Sequence, residues 1–332
     1  MPKNKSIKLA VSVYSFTNEY YTGKYSLEEC IKKISEIGAD GIEIVSTQHI
    51  PNYPNPDDEF IAHFNFLLDK YELKPACYSL YIDLGRDSKK DMTKSEIMES
   101  FENDLSIASK MRFGCVRTLP STPLYVISDL AVMAERYKIK LGIELHAPYT
   151  IHHPLFKKII ETIKEIDSPY LGLIPDFGAW VERIPTILLQ NFRERGVSDE
   201  TVELLRDSYA KGESFETVKQ KILSTGVGGN AQWAIGMCYH ILSNGKPGDI
   251  KEIIPYVIHV HAKFWDVNRE EIDGGINYKK LLPIIAESGY SGYLSSEFEG
   301  FILAKDYNGF EMVKNQHESM HKILDDLNGG KP

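Results

Sequence analysis

Apolar residues recur along this chain with two alternating periods. Short runs rich in β-branched and aromatic residues, such as KLAVSVYSF over 8–16, read as buried strands. Between them lie longer stretches with apolar residues every three or four positions. The first, SLEECIKKISEIG, puts Leu27, Cys30, Ile31, Ile34 and Ile37 on one helix face and stops at Gly38. The same alternation predicts strand DGIEIVS, a helix over 57–71, strand PACYSLYID, a helix over 95–111 and strand FGCVRTL. It continues through helix SDLAVMAERYK, strand KLGIEL, helix LFKKIIETIKEI and strand YLGLIPD. VIHVHAK, YKKLLPIIAESG, GYLSSEF and a last helix over 309–327 complete eight βα units, the repeat of an α/β (β/α)8 TIM barrel filling 1–332 as one domain.

One stretch departs from this rhythm. Over 181–248 there is no strand pattern. Helical runs (IPTILLQNF, DETVELLRDSYA, FETVKQKIL, WAIGMCYHIL) are punctuated by Gly196, Gly212 and the glycines of 226–229. This is longer than an ordinary βα connection. It predicts a helical insertion between strands 6 and 7 that overhangs the barrel mouth. Two readings stand: an elaborated outer layer, or a lid or docking surface that presents Phe192, Tyr209 and Phe215 to a partner.

Four strand-like segments in the second half each end on a possible metal ligand: Glu144 in KLGIELH, Asp176 in YLGLIPD, His261 in YVIHVHAK and Glu297 in GYLSSE. Successive strand ends of this kind converge at the mouth of a parallel barrel, where such barrels carry their chemistry. Three carboxylates and an imidazole form a hard, oxygen-rich set. It suits Mn²⁺ or Mg²⁺ better than a thiolate-loving metal. His146 lies two residues beyond Glu144, so it faces the same side. There it can act as a general base beside a polarised carbonyl, act as a further ligand, or simply hydrogen-bond a loop. His259 and His261 also share a face. His261, nearer the strand end, is the expected ligand, with His259 one layer deeper. Glu297 is preferred over Glu299 because it closes the apolar run. Lys263 is expected at the solvent rim, with contact to a substrate oxygen as the alternative. Trp180, Trp265 and Phe264 offer either an aromatic wall or core packing.

Composition changes this picture little. The chain has 332 residues, 42% hydrophobic and 26% charged, with 47 acidic against 38 basic residues and a formal charge of −9. That balance argues against nucleic acid and anionic membrane as partners. No apolar run approaches the roughly 20 residues that span a bilayer. MPKNKS at the start carries no signal-peptide cleavage pattern. Cys30, Cys77, Cys115 and Cys238 are dispersed, without a CxxC pair, and read as small buried hydrophobes in a reducing cytoplasm. Phosphate-binding glycine loops and the GxSxG elbow are absent, which argues against nicotinamide or ATP chemistry.

The strand ends "lE", "D", "HvHxK" and "sxE" resemble those of the xylose-isomerase-like barrels, over nearly the whole chain. That resemblance implies one divalent metal, Mn²⁺ first, with Mg²⁺, Co²⁺ or Zn²⁺ as alternatives, on Glu144, Asp176, His261 and Glu297. Endonuclease IV, in the same superfamily, needs extra histidines for three zincs. Ser15, Ser79 and Arg117 at the early strand ends supply none. ELHAP, PDFGAW, HVHAKFWDV and LSSEFEG are most similar to the large α subunit of bacterial C-glycoside deglycosidases. This implies that His146 is the catalytic base and that a small β subunit completes the enzyme. It also implies a substrate class, the 3-oxo-C-glucosides of plant polyphenols, cleaved at C–C by β-elimination. The metal would act as Lewis acid and His146 would take the proton from C2, with no redox cofactor. The alternative is an aldose–ketose isomerase or 3-epimerase of the same superfamily, which needs a similar base beside a carbonyl. Under either reading Trp180, Trp265, Lys263 and Glu299 are the candidate substrate contacts.

Overall fold

The computed structural model describes residues 7–224, 228–267, 272, 275–304 and 307–329. MPKNKS and Gly226, singled out above, lie outside these.

Eight strands form one parallel sheet: β1 (Lys8–Ser12), β2 (Gly41–Val45), β3 (Lys74–Ser79), β4 (Cys115–Thr118), β5 (Lys140–Leu145), β6 (Leu171–Pro175), β7 (Val260–Phe264) and β8 (Tyr293–Phe298). Their order is β6-β5-β4-β3-β2-β1-β8-β7. β6 and β7 meet only through isolated parallel bridges, Leu173 with Val257 and Asp176 with His261. The result is a nearly closed (β/α)8 barrel whose seam runs past two of the candidate ligands. The strands read as continuous apolar runs because helices cover one face and the barrel interior the other; β2, β4, β6 and β7 are buried at every residue.

Local signals set the outer helices. Ser26 and Thr93 each form a capping box, with Glu29 and Glu96 three residues on. Gly38 ends its helix in the left-handed region at φ 85°. Cys77, Cys115 and Ile174, with Ile258 packed against them, make a small apolar cluster of their own. All four cysteines are free and buried. Among the described residues no helix is long and apolar enough to cross a membrane.

Between β6 and β7 the chain forms helices Thr186–Glu194, Asp199–Ala210, Phe215–Ser224 and Gly229–Ile241. Here one expectation is overturned. Phe192 and Tyr209 are buried rather than presented to a partner, and Phe215 is half-buried. The helices pack their aromatic faces on one another: Phe192 meets Trp233 edge-on at 5.5 Å, and Tyr209 meets Tyr239 at 5.9 Å. An amphipathic helix hides its apolar stripe against the first apolar surface available, and here its neighbours supply one.

Candidate metal centre

β5, β6, β7 and β8 bring Glu144, Asp176, His261 and Glu297 to one point. One ligand atom from each lies within 4.8 Å of all the others, and all four residues are buried. Donors on opposite sides of a cation with bonds of about 2.0–2.4 Å stand about 4–5 Å apart, so this spacing fits a single divalent ion. The polar atoms agree. Glu144 Oε2, Asp176 Oδ2 and Glu297 Oε2 are buried with no well-directed hydrogen bond. The nearest cation to each is an arginine or lysine nitrogen at 2.8–3.5 Å. Among the described residues two other groups bring ligand-type atoms together: buried Glu43, Cys77 and His259, and the more exposed His152, Asp249 and Glu252.

Charge at the mouth is balanced from within. Arg117 Nε sits 3.2 Å from Glu144 Oε2. His261 Nδ1 lies 2.6 Å from Glu144 Oε1 and 3.7 Å from Glu297 Oε2, while its Nε2 is 3.1 Å from Glu43 Oε1. Burial raises the Glu144 carboxyl, but Arg117 and His261 more than offset this and hold it well below the usual range. Glu43 is likewise held well below that range, with His261 and His259 outweighing burial. Asp176 differs: burial dominates and lifts it to about 6 despite Lys263. Burial would lower His261, but Glu43, Glu297 and Glu144 keep it charged, well above the ordinary imidazole range. A metal on Nδ1 requires that proton to leave.

Sequence reasoning passed over Glu43. It lies inside β2, where the pairing with β3 shifts register between Ile42 and Glu43. Such irregularities re-aim side chains. Ser79 donates to Glu43 Oε1 at 2.6 Å, and His259 Nε2 lies 3.0 Å from Oε2. Burial holds His259 below its ordinary range, so the neutral ring donates through Nε2–H. Glu43 therefore spans both β7 histidines and orients His261, the arrangement by which a carboxylate fixes a ligating imidazole. The signal was a carboxylate in the middle of an otherwise apolar strand.

His146 stands beside the cluster. Its Nδ1 lies 2.5 Å from the Ala147 carbonyl. A carbonyl only accepts, so Nδ1–H donates to it and Nε2 is left to accept. That Nε2 is 3.2 Å from Lys263 Nζ. Lys263 corrects a second expectation. It is 2% exposed rather than at the solvent rim. Its ammonium reaches Asp176 Oδ2 at 2.8 Å, Glu299 Oε1 at 3.1 Å and Glu297 Oε2 at 3.5 Å. These acids, brought by other strands, outweigh the burial that would lower it. Glu299 also accepts from Tyr14 Oη at 3.5 Å. Trp180, Trp265 and Phe264 are buried in the apolar core.

The chain is similar to known proteins in ways consistent with this geometry. Residues 31–193 match the family described as xylose isomerase-like TIM barrel. The 3'-dehydrocarminate deglycosidase alpha subunit of a Microbacterium species is 28% identical, over 96% of this chain and 96% of that one. The C-glycoside deglycosidase alpha subunit of Arthrobacter globiformis is 28% identical, over 96% and 93%. Among solved structures, the IOLI protein with a zinc atom superposes with a TM-score of 0.59 at 14% identity, covering 96% and 99%. It shares the fold.

Proposed function

From a xylose isomerase-like TIM barrel that is similar over nearly its full length to C-glycoside deglycosidase alpha subunits, we propose that the chain is the α subunit of a metal-dependent carbon–carbon lyase. Its substrates are 3-oxo-C-glucosides of polyphenols, cleaved into aglycone and an unsaturated keto sugar. Glu144, Asp176, His261 and Glu297 hold one divalent ion, with Mn²⁺ as the first choice for so carboxylate-rich a set. A bound ion supplies Lewis acidity to the 3-oxo group.

The observation that carries the reading is His146. Its Nε2 faces the Lys263 ammonium at 3.2 Å, beside four convergent metal-type donors. It takes the proton from C2, whose acidity comes from the adjacent carbonyl. The electron pair moves toward C3 and its oxygen, then returns to form a C1–C2 double bond as the bond from C1 to the aryl carbon breaks. The aryl carbon takes a proton, from the imidazolium, and the reaction is balanced without a redox cofactor. The Ala147 carbonyl fixes the tautomer throughout. A small β subunit completes the enzyme, supported by the relatives' designation as alpha subunits.

The test is aglycone release from a 3-oxo-C-glucoside by the chain co-expressed with a co-encoded small protein, with and without EDTA. Release that EDTA abolishes and Mn²⁺ restores is expected. Interconversion of aldose and ketose, or C3 epimerisation, with no C–C cleavage would replace the lyase by an isomerase. Full cleavage by the chain alone would remove the partner.

A further inference from the structure

Lys263 belongs to none of the roles above, yet its ammonium faces three carboxylates and an imidazole at once. We infer that it is a built-in counter-cation for the candidate metal centre, which a divalent ion displaces from Asp176 and Glu297 toward Glu299 and His146. The inference rests on the proposed metal at that cluster.

Sequence places Lys263 two residues beyond His261 on β7, so both side chains leave the strand on the same side. Register places it opposite Glu297 on β8. The backbone there is pinned: Tyr278 Oη donates to the Lys263 carbonyl at 2.8 Å. The stem has a made-to-measure path beside Gly178. A Cβ on Gly178 would lie 3.1 Å from Lys263 Cδ and 2.9 Å from Asp176 Oδ1, so glycine leaves room for the lysine to reach Asp176.

Two of its three carboxylate partners, Asp176 and Glu297, are also candidate metal ligands. Asp176 Oδ2, at 2.8 Å from Nζ, is among the atoms without a well-directed hydrogen bond. The ammonium thus neutralises the oxygens an ion needs. Without a metal, Glu43, Glu144, Asp176, Glu297 and Glu299 face the permanent cations Arg117 and Lys263, with the His261 ring between Glu43 and Glu144. Binding a divalent ion sets two cations against each other among buried side chains, where repulsion is poorly screened. Lys263 has somewhere to go. Glu299 Oε1 and His146 Nε2 already lie 3.1 and 3.2 Å from Nζ, and neither residue belongs to the four. Moved that way, it holds Nε2 as an acceptor until substrate arrives.

The experiment measures metal, not catalysis. Mn²⁺ affinity of metal-stripped wild type, Lys263→Met and Lys263→Arg is determined by competition with a chelator, alongside melting of each with and without Mn²⁺. Lys263→Met is expected to melt lower without metal and to bind Mn²⁺ about tenfold tighter or more, while Lys263→Arg, which keeps the charge, binds no tighter than wild type. Equal or weaker Mn²⁺ binding by folded Lys263→Met would overturn the inference. A structure of Mn²⁺-loaded wild type tests the same displacement without any variant. Nζ bonded to Glu299 or His146 and clear of Asp176 supports it, and Nζ still on Asp176 Oδ2 sinks it. Wild type that binds no divalent ion defeats the metal reading itself, whereas wild-type binding unchanged by Lys263→Met defeats only this inference.

Discussion

Two regions of this molecule bury carboxylates, and they solve the problem differently. At the mouth, Glu43 and Glu144 are kept ionised by Arg117, His261 and His259. Behind β3, Asp104 is 1% exposed and has only hydroxyls: Tyr78 Oη at 2.8 Å and Tyr53 Oη at 3.0 Å. Burial wins over those two donors and lifts Asp104 to about 6. Partners overturn what burial does to Glu43 and Glu144, whereas burial prevails at Asp104 and, despite Lys263, at Asp176. A neutral-leaning acid tied to tyrosines locks a helix to a strand. Acids held charged are ready for a cation.

The largest effect separates chemistry from charge. His146 is not among the four converging donors, so His146→Ala should keep its metal and fold yet lose about 10²- to 10⁴-fold in turnover. Turnover, bound metal and melting temperature measured together check this. Loss of metal would make His146 a ligand, and near-normal turnover would remove it as the base.

Next comes the mouth's own compensation. Arg117→Met strips Glu144 of its fixed cation and leaves its buried charge only His261, which costs up to about 3–5 kcal/mol. Urea unfolding of the metal-stripped protein reads this directly. Added Mn²⁺ should restore much of the loss, because the ion takes over the role.

The barrel was legible because each strand is a short apolar run and each helix keeps its own period, both local properties. Glu144, Asp176, His261 and Glu297 stood out because each closes such a run. Lys263 did not, since nothing near it in sequence reveals that Asp176 and Glu299 arrive from β6 and the end of β8 to hold it. Glu43 was hidden by the apolar run around it. Phe192 and Tyr209 misled for a related reason: periodicity shows that a helix has an apolar face, not what covers it.

The other half of the comparison has a pH signature. Asp104 has a folded pKa of about 6, above the ordinary 3.8. Between those values the native state holds more protons than the unfolded chain, so stability falls as pH rises through about 6. The separation of about two pH units corresponds to about 3 kcal/mol at most. Asp104→Asn can still accept from a tyrosine and cannot ionise. Relative to wild type it should gain stability between pH 4 and pH 7, as measured by denaturant unfolding at both. A constant difference across that range would mean Asp104 does not titrate there.

The smallest effect expected is at Glu43. Glu43→Gln keeps the shape but weakens the hold on His261, so Mn²⁺ affinity should fall about 10- to 100-fold with the fold intact. Unchanged affinity would make Glu43 a packing residue only.

The central claim is that four strand ends converge on one divalent ion. Elemental analysis of purified wild type, Asp176→Ala and His261→Ala, each stripped and reloaded with Mn²⁺, tests it most directly. The account predicts one ion per wild-type chain and a large loss in both variants; stoichiometric metal retained by folded Asp176→Ala or His261→Ala would contradict it.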